Sequence, residues 1–184
     1  MTGRLSSEKR ELQESLRLVF EGTTLYLTDS RNWAKCWVLD TYKLLRTKPL
    51  AGLGMDAMDY AMCGSYLYQK SRNRTEAVKE FLMDQSVIAG VGNIYANEVL
   101  FSVCIDPAKP AMFLSEQQYN AIVVSLKEMF RDYTSFEVRH GWSHSSEKHK
   151  VYGREGAPCP ICGTPIMRSE IVKRVTFRCP HCQL

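Results

Sequence analysis

Hydrophobic and polar residues alternate along the first part of the chain, which is the pattern of β-strands. Two alternating runs in residues 17–29, RLVFEGTTLYLTD, meet at Gly22 and predict a β-hairpin. Residues 1–5, MTGRL, carry no helix cap and predict a strand, and residues 35–40, KCWVLD, predict another short strand. The amino-terminal part is therefore expected to form a small sheet.

From about residue 73 the apolar residues recur with the period of an amphipathic helix. Ser115 and Gln118 fit a capping box at the start of the last helical segment, because each side chain can bond the backbone N–H of the other residue. The three predicted helices are residues 74–85, 93–104 and 114–133, whereas residues 42–73 show a mixed pattern that assigns no element.

The net charge of +4 is unevenly distributed along the 184 residues. Residues 148–184 contain seven Lys or Arg and two Glu, a net charge of +5, so the preceding residues carry −1. A basic segment on a nearly neutral body favours a polyanion as partner, nucleic acid before membrane. A solvated basic tail without a partner is the alternative interpretation.

Cysteine usage points to a reducing compartment. The chain has seven cysteines, an odd count, and four of them form two C-x-x-C pairs, which favours metal-bound thiolates over a disulfide framework. No run of residues is apolar and long enough to span a bilayer, and we expect neither a signal peptide nor membrane attachment. The expected location is the cytoplasm.

The two C-x-x-C pairs have the spacing of a structural zinc site. Sixteen residues separate the pairs, and they read as two short strands joined by a turn. Such a hairpin buries too little surface to fold alone, so the metal is expected to supply the folding energy. His181 is interpreted as a bystander, and the lone cysteines Cys36, Cys63 and Cys104 as ordinary buried thiols. The predicted ligands of one Zn²⁺ are Cys159, Cys162, Cys179 and Cys182.

Residues 84–101, DQSVIAGVGNIYANEVLF, place a glycine turn in front of a helix. Gly90 and Gly92 leave the turn without side chains, and Asn93 stands where the helix begins. Free N–H groups and the helix dipole make such a turn a ready anion site. A tight interhelical turn with no ligand explains the same residues equally well, but a basic zinc hairpin further along the chain favours phosphate contact.

Two long motifs resemble bacterial formamidopyrimidine-DNA glycosylases and their endonuclease VIII relatives, the former more closely. Residues 82–107 resemble the helix–two-turn–helix motif of that family, and residues 151–183 resemble its zinc finger. The resemblance implies an α+β fold. Its parts are a remnant of an N-terminal β sandwich (1–45), a helical helix–two-turn–helix DNA-binding domain with the lesion-loop region (46–147), and a C-terminal four-cysteine zinc-finger β-hairpin (148–184).

The resemblance also implies phosphate contacts. Asn93, with Gly92 beside it, matches the family asparagine that holds the phosphates next to the damaged nucleotide, and Arg174 matches the arginine that clamps the same backbone. Lys79 and Glu98 match motif positions as well. We expect a surface charge for Lys79 and helix-cap or turn bonding for Glu98.

Three further residues resemble those that fill the gap left by an expelled base. They are Arg31, Trp33 and Met1. The family has phenylalanine where Trp33 stands and arginine where Asn32 stands, so one phosphate-reaching charge is lost. Residues 139–150 correspond to the loop that covers a flipped oxidised purine, but they lack its glycine-lysine-proline-glycine run, which leaves the lesion preference open.

The family's catalytic segment has no counterpart in this sequence. Relatives open with a proline whose amine attacks the sugar and a glutamate that handles protons. Residues 1–5 resemble a later strand, so we expect no catalytic residue here and no robust base excision by this chain alone. Half a β sandwich would also leave apolar faces and open edges.

Three functions compete at this point. The first is the damaged-DNA-binding part of an oxidised-purine glycosylase and abasic-site lyase. The second is a non-catalytic module that binds lesions, and the third is a zinc-ribbon interaction protein without damage preference. The expected partner is double-stranded DNA with oxidised bases or abasic sites, bound by a monomer, with pairing of chains through the open β part as the alternative.

Overall fold

The computed structural model describes residues 3–9, 14–32, 34–140 and 149–184, with the backbone alone over 133–140. The chain divides into two compact units, Met1–Thr47 and Lys48–Leu184. Among the described residues, no helix is long and apolar enough to cross a membrane.

The first unit contains a three-stranded antiparallel sheet in the order β1-β3-β2. Its strands are β1 (Gly3–Ser6), β2 (Glu14–Phe20) and β3 (Thr23–Asp29). The predicted hairpin is confirmed, and Gly22 has the positive φ of +79° that its turn requires. Leu16 pairs with Leu27 and Leu18 with Leu25, so leucines share one face of the sheet.

The strand predicted over residues 35–40 is wrong. Those residues form no strand, and the next element is a 3₁₀ helix, Thr41–Arg46. Trp37 and Val38 are exposed, Val38 almost completely (98%). A β-branched and aromatic composition favours a strand only where the side chains pack against neighbours, and these side chains have little packing.

The second unit combines helices with two small sheets. Met55–Asp56 (β4) and Ile88–Ala89 (β5) form a short parallel pair, and the zinc-finger strands form an antiparallel hairpin. The remaining elements are α1 (Gly64–Ser71), α2 (Val78–Met83), α3 (Asn93–Ser102), α4 (Glu116–His140), β6 (Met167–Ile171) and β7 (Arg174–Arg178), with 3₁₀ turns at Leu50–Gly52 and Ala111–Phe113.

Helix α1 lies in the segment to which the sequence pattern assigned no element. It is short and starts at Gly64, where a Cβ would lie 2.3 Å from the Asn120 side chain on α4. The same side chain accepts a hydrogen bond from the Gly64 N–H at 2.9 Å. The helix is therefore held by close tertiary packing, and its amphipathic period is too short to detect.

The capping box of α4 is confirmed. The Ser115 N–H donates to Gln118 Oε1 at 3.0 Å, and the Gln118 N–H donates to Ser115 Oγ at 3.2 Å. These bonds satisfy donors that a helix start leaves without partners. Helix α4 then packs on α1 and α3 around a core that includes Leu67, Leu100 and Leu126.

A second apolar core joins the zinc hairpin to α3. Phe101 of α3 is buried with Val151, Ile166 and Phe177, together with two of the paired cysteines. The hairpin thus rests on the helical part through a small shared core, and the rest of its attachment is polar.

The prediction of buried lone thiols is also wrong. Cys36, Cys63 and Cys104 are all exposed. Each lies outside the helices and strands: Cys36 in the irregular segment, Cys63 just before α1 and Cys104 just after α3. Cysteine composition predicts burial on average, but these three cysteines lie in connecting segments, which ordinarily run over the protein surface.

Candidate nucleic-acid interface

Four cysteine sulfurs converge at the base of the zinc hairpin. The Sγ atoms of Cys159, Cys162, Cys179 and Cys182 all lie within 4.8 Å of one another, with separations of 3.9 Å (159 to 182) and 3.5 Å (162 to 179). A tetrahedron of sulfurs at the zinc–sulfur distance of about 2.3 Å has edges of about 3.8 Å. The predicted four-cysteine site is therefore confirmed as suited to one structural zinc ion.

Backbone groups turn toward these sulfurs. The N–H groups of Ile161 and Cys182 point at Cys159 Sγ and Cys179 Sγ, each at 3.4 Å. The hydroxyl and N–H of Thr164 lower the pKa of the Cys162 thiol to about 6. A lowered pKa favours the thiolate form at Cys162, whereas burial raises the pKa of Cys179 and the hydrogen bond with Cys162 raises the pKa of Cys182.

Lys79 of α2 lies inside the protein, where the sequence had predicted a surface charge. The side chain is fully buried, and its Nζ donates to Val175 O at 2.8 Å and to Thr176 Oγ1 at 2.7 Å. Burial, and next the positive charge of Arg174, lower the pKa of Lys79 to about 8. The surface interpretation fails because both partners lie on β7, far along the chain.

Asn93 reaches the same strand from the start of α3. Its Nδ2 donates to Val175 O at 3.1 Å, so Lys79 and Asn93 share one acceptor. An amide nitrogen carries two hydrogens, and this bond uses one of them. The half-buried Asn93 side chain therefore keeps a second donor.

Asn97, one turn further along α3, is a site residue that the sequence interpretation missed. Its Oδ1 accepts the Phe177 N–H at 2.7 Å and its Nδ2 donates to Asn93 O at 2.7 Å, so it ties α3 to β7. The four-residue spacing from Asn93 to Asn97 places both on one helix face and was the available signal.

Arg174 begins β7 and is exposed beside this network. It lines a cleft of about 400 Å³ with Lys79, Arg74 and Val172, among others. Arg74 is neutralised by ion pairs with Glu76 and Asp84. Within the described part of the chain, neither Lys79 nor Arg174 forms an ion pair, and the carboxylate of Glu80 lines the same cleft.

The glycine turn lies next to Asn93. Gly90 has a φ of +94°, which favours glycine by itself, whereas Gly92 has an extended backbone that any residue adopts. A Cβ at Gly92 would meet no atom of the described residues within 4 Å. Neither conformation nor packing inside the chain therefore requires glycine at position 92.

Glu98 accepts hydrogen bonds from the backbone of a turn, as the sequence interpretation predicted. Its buried carboxylate accepts the N–H groups of Lys150, Val151 and Tyr152 at 2.8, 3.0 and 2.8 Å. These three residues lead into the zinc finger. Glu98 thus fixes the start of that segment to α3.

We expect Glu98→Gln to lower the free energy of unfolding by about 1–3 kcal/mol, because an amide accepts fewer charge-assisted bonds and brings a donor that faces other donors. Thermal unfolding measures the change, and Glu128→Gln on the exposed face of α4 is the control. Equal melting temperatures for the two variants would show that the three bonds contribute nothing.

Of the residues assigned to gap filling, the structure describes Arg31, which belongs to the first compact unit. Arg31 is exposed in the turn after β3, where its N–H donates to Asp29 Oδ1 at 3.2 Å. Met1, Trp33 and residues 141–148 of the loop lie outside the described residues. Their roles remain predictions.

Sequence comparisons identify the relatives of this chain. Residues 53–139 match the formamidopyrimidine-DNA glycosylase H2TH domain. The formamidopyrimidine-DNA glycosylase of Sodalis glossinidius is 35% identical over all of this chain and 72% of its own length. The chain belongs to the formamidopyrimidine-DNA glycosylase family. The Serratia proteamaculans member is 38% identical over 90% of this chain, but only 64% of that relative's length is matched.

Solved structures of family members share the fold. The MutM (Fpg) protein of Thermus thermophilus has a TM-score of 0.85 and 31% identity, over 100% of this chain and 73% of that protein. The Lactococcus lactis protein in complex with a FAPY-dG containing DNA has a TM-score of 0.88 and 25% identity, over 100% and 72%. The predicted α+β fold and the family are thereby confirmed.

Proposed function

We propose that this chain is the damaged-DNA-binding part of a DNA-repair glycosylase, and that it holds duplex DNA containing an abasic site or an oxidised base. Its relatives include the Lactococcus lactis protein bound to DNA with an AP site. The proposal rests on one observation: Asn93 and Lys79 both donate a hydrogen bond to Val175 O, directly beside Arg174 at the start of β7.

The chemistry of this convergence suits a DNA phosphate. Arg174 offers an exposed guanidinium, Asn93 keeps one amide hydrogen, and α3 begins there without a side-chain cap, with the positive end of its dipole at Asn93. Buried Lys79 adds positive charge behind them. The missing side chain at Gly92, for which the described residues give no packing reason, leaves room for the phosphate backbone against the turn.

The remaining site residues belong to the same proposal. We assign to Arg31, Trp33 and Met1 the filling of the gap that an expelled base leaves, as the family resemblance implies. We place the protein in the cytoplasm, where four reduced thiolates persist. Residues 46–147 and 148–184 supply the phosphate contacts, and 1–45 supply the gap-filling residues.

A gel shift combined with borohydride trapping on a natural abasic duplex tests the proposal. We expect a shifted complex that favours the abasic duplex, with little covalent adduct. A strong adduct would mean that an amine of this chain performs the chemistry, and no shift at all would remove the DNA-binding function. Equal affinity for intact duplex would favour the zinc-ribbon alternative.

Lys79 makes DNA affinity depend on pH. A bound phosphate favours the charged amine, so the complex holds the proton to a higher pH than the free chain, whose Lys79 pKa is about 8. Affinity should therefore fall as pH rises through about 8. Lys79→Met should flatten that fall, whereas Lys70→Met, at an exposed position on α1, should keep it. Anisotropy titrations from pH 7 to 9 measure both.

The free energy of unfolding of the DNA-free chain should rise with pH, whereas the DNA affinity falls. The folded pKa of about 8 lies below the ordinary lysine value of 10.5, so between these values the unfolded chain binds more protons than the folded one. The free energy of unfolding then rises with pH across this window.

A pH dependence of affinity that is identical in Lys79→Met and the parent would contradict the placement of Lys79 behind the phosphate.

A further inference from the structure

The turn of the zinc hairpin has a conformation that its residues disfavour. Ile171 pairs with Arg174, which leaves Val172 and Lys173 as a two-residue turn. Both have left-handed φ values, +49° and +55°. Hairpin turns with two positive φ values are normally built from asparagine, aspartate and glycine. For a β-branched valine this region is a genuine outlier.

This turn lies at the protein surface. Val172 is 59% exposed, and Lys173 is exposed beside it. A strained residue normally persists where the surroundings hold it in place and where its position has a use. Here the surroundings are the metal site and the bonds from Lys79, Asn93 and Asn97 to β7.

The position of the turn suggests the use. Val172 and Ile171 line the same cleft as Lys79 and Arg174, together with the carboxylates of Glu80 and Asp84, the second of which is paired with Arg74. An apolar side chain next to phosphate-binding cations is suited to a ligand that is charged on its outside and apolar between its charges. A DNA groove has that character, because sugars and base edges lie between two rows of phosphates.

We propose that Val172 is a DNA-contact residue, an apolar wedge that the strained turn presents to the sugars and base edges next to the phosphates held by Arg174 and Asn93. A single small apolar side chain cannot read base edges by hydrogen bonding, so it adds affinity by packing. Minor-groove proteins use apolar wedges in this way. The inference rests on the proposed function, because it needs DNA in the cleft.

Two substitutions in the turn separate packing from charge. Val172→Asn supplies a residue that tolerates left-handed φ, so the melting temperature of the zinc-loaded protein should rise by a few degrees. Its affinity for an abasic duplex should nevertheless fall about tenfold, with an unchanged slope of log K against log salt. Lys173→Asn relieves the adjacent position but removes a charge, so its slope should become shallower by about 0.9.

Val172→Ile keeps the apolar β-branched side chain and should bind like the parent. If Val172→Asn binds like the parent while Arg174→Ala is weakened, the wedge is wrong and the proposed function stands. If Arg174→Ala also binds like the parent, the phosphate site beside the turn is wrong, and the proposed function fails only if the parent itself does not bind the abasic duplex. A melting temperature below that of the parent for Val172→Asn, or a loss of affinity in Val172→Ile equal to that in Val172→Asn, would also overturn the inference.

Discussion

Cys159→Ser is expected to release the metal, unfold the residue 159–182 hairpin and weaken binding to an abasic duplex by about a hundredfold. The reason is geometric. Arg174 and the acceptor Val175 O keep their positions only while β7 is held by the metal at one end and by Lys79 at the other. Zinc content, circular dichroism and anisotropy titration of the same sample measure the three effects.

The matched control is Cys104→Ser. Cys104 is an exposed cysteine outside the four-sulfur cluster, so its replacement should leave zinc content and affinity unchanged. The helical core around α1, α3 and α4 should survive in Cys159→Ser, because it lies in a separate cluster from the hairpin core. A metal-free Cys159→Ser protein with an intact hairpin and parental affinity would refute the account of the metal site.

Arg174→Ala and Asn93→Ala are each expected to weaken abasic-duplex binding by about tenfold, which is on the order of 1–3 kcal/mol for a charge-assisted or buried contact. Arg174→Ala should also reduce the salt slope by about 0.9, because one phosphate contact is lost. Asn93→Ala removes a neutral donor and should leave the slope unchanged. Comparing the slopes therefore separates the two contributions.

Arg168→Ala is the control for Arg174→Ala. Arg168 is exposed on β6, lies 3.8 Å from Glu155 and does not line the cleft. The double variant of Asn93 and Arg174 should lose less than the sum of the single losses if both residues bind the same phosphate. Parental affinity in both single variants would show that the phosphates bind elsewhere.

Local patterns predicted local structure well in this chain. The cysteine spacing specified the metal site, because four thiolates at that spacing allow few other arrangements. The Ser115–Gln118 capping box and the hairpin at Gly22 depend only on residues close in sequence, and both were predicted. Each of these features is determined within about one turn or one hairpin of chain.

Features that depend on distant residues were missed. Lys79 is followed by Glu80 and resembles a surface position, yet its acceptors lie 96 and 97 residues further along. The strand expected over residues 35–40 needs a neighbouring strand to pair with, and residue composition alone cannot supply one. Asn97 was missed because a polar residue in a helix is ordinarily assigned to solvent, whereas here it is buried against β7.

The most direct test of the central claim is the ratio of affinities for an abasic-site duplex and its intact counterpart, measured by anisotropy with the zinc-loaded chain. If Asn93, Lys79 and Arg174 hold the phosphates beside a lesion, the parent should prefer the abasic duplex, because an interrupted stack bends at lower cost. Arg174→Ala should lose affinity for that duplex. Equal affinities for both duplexes, unchanged in Arg174→Ala, would contradict the account.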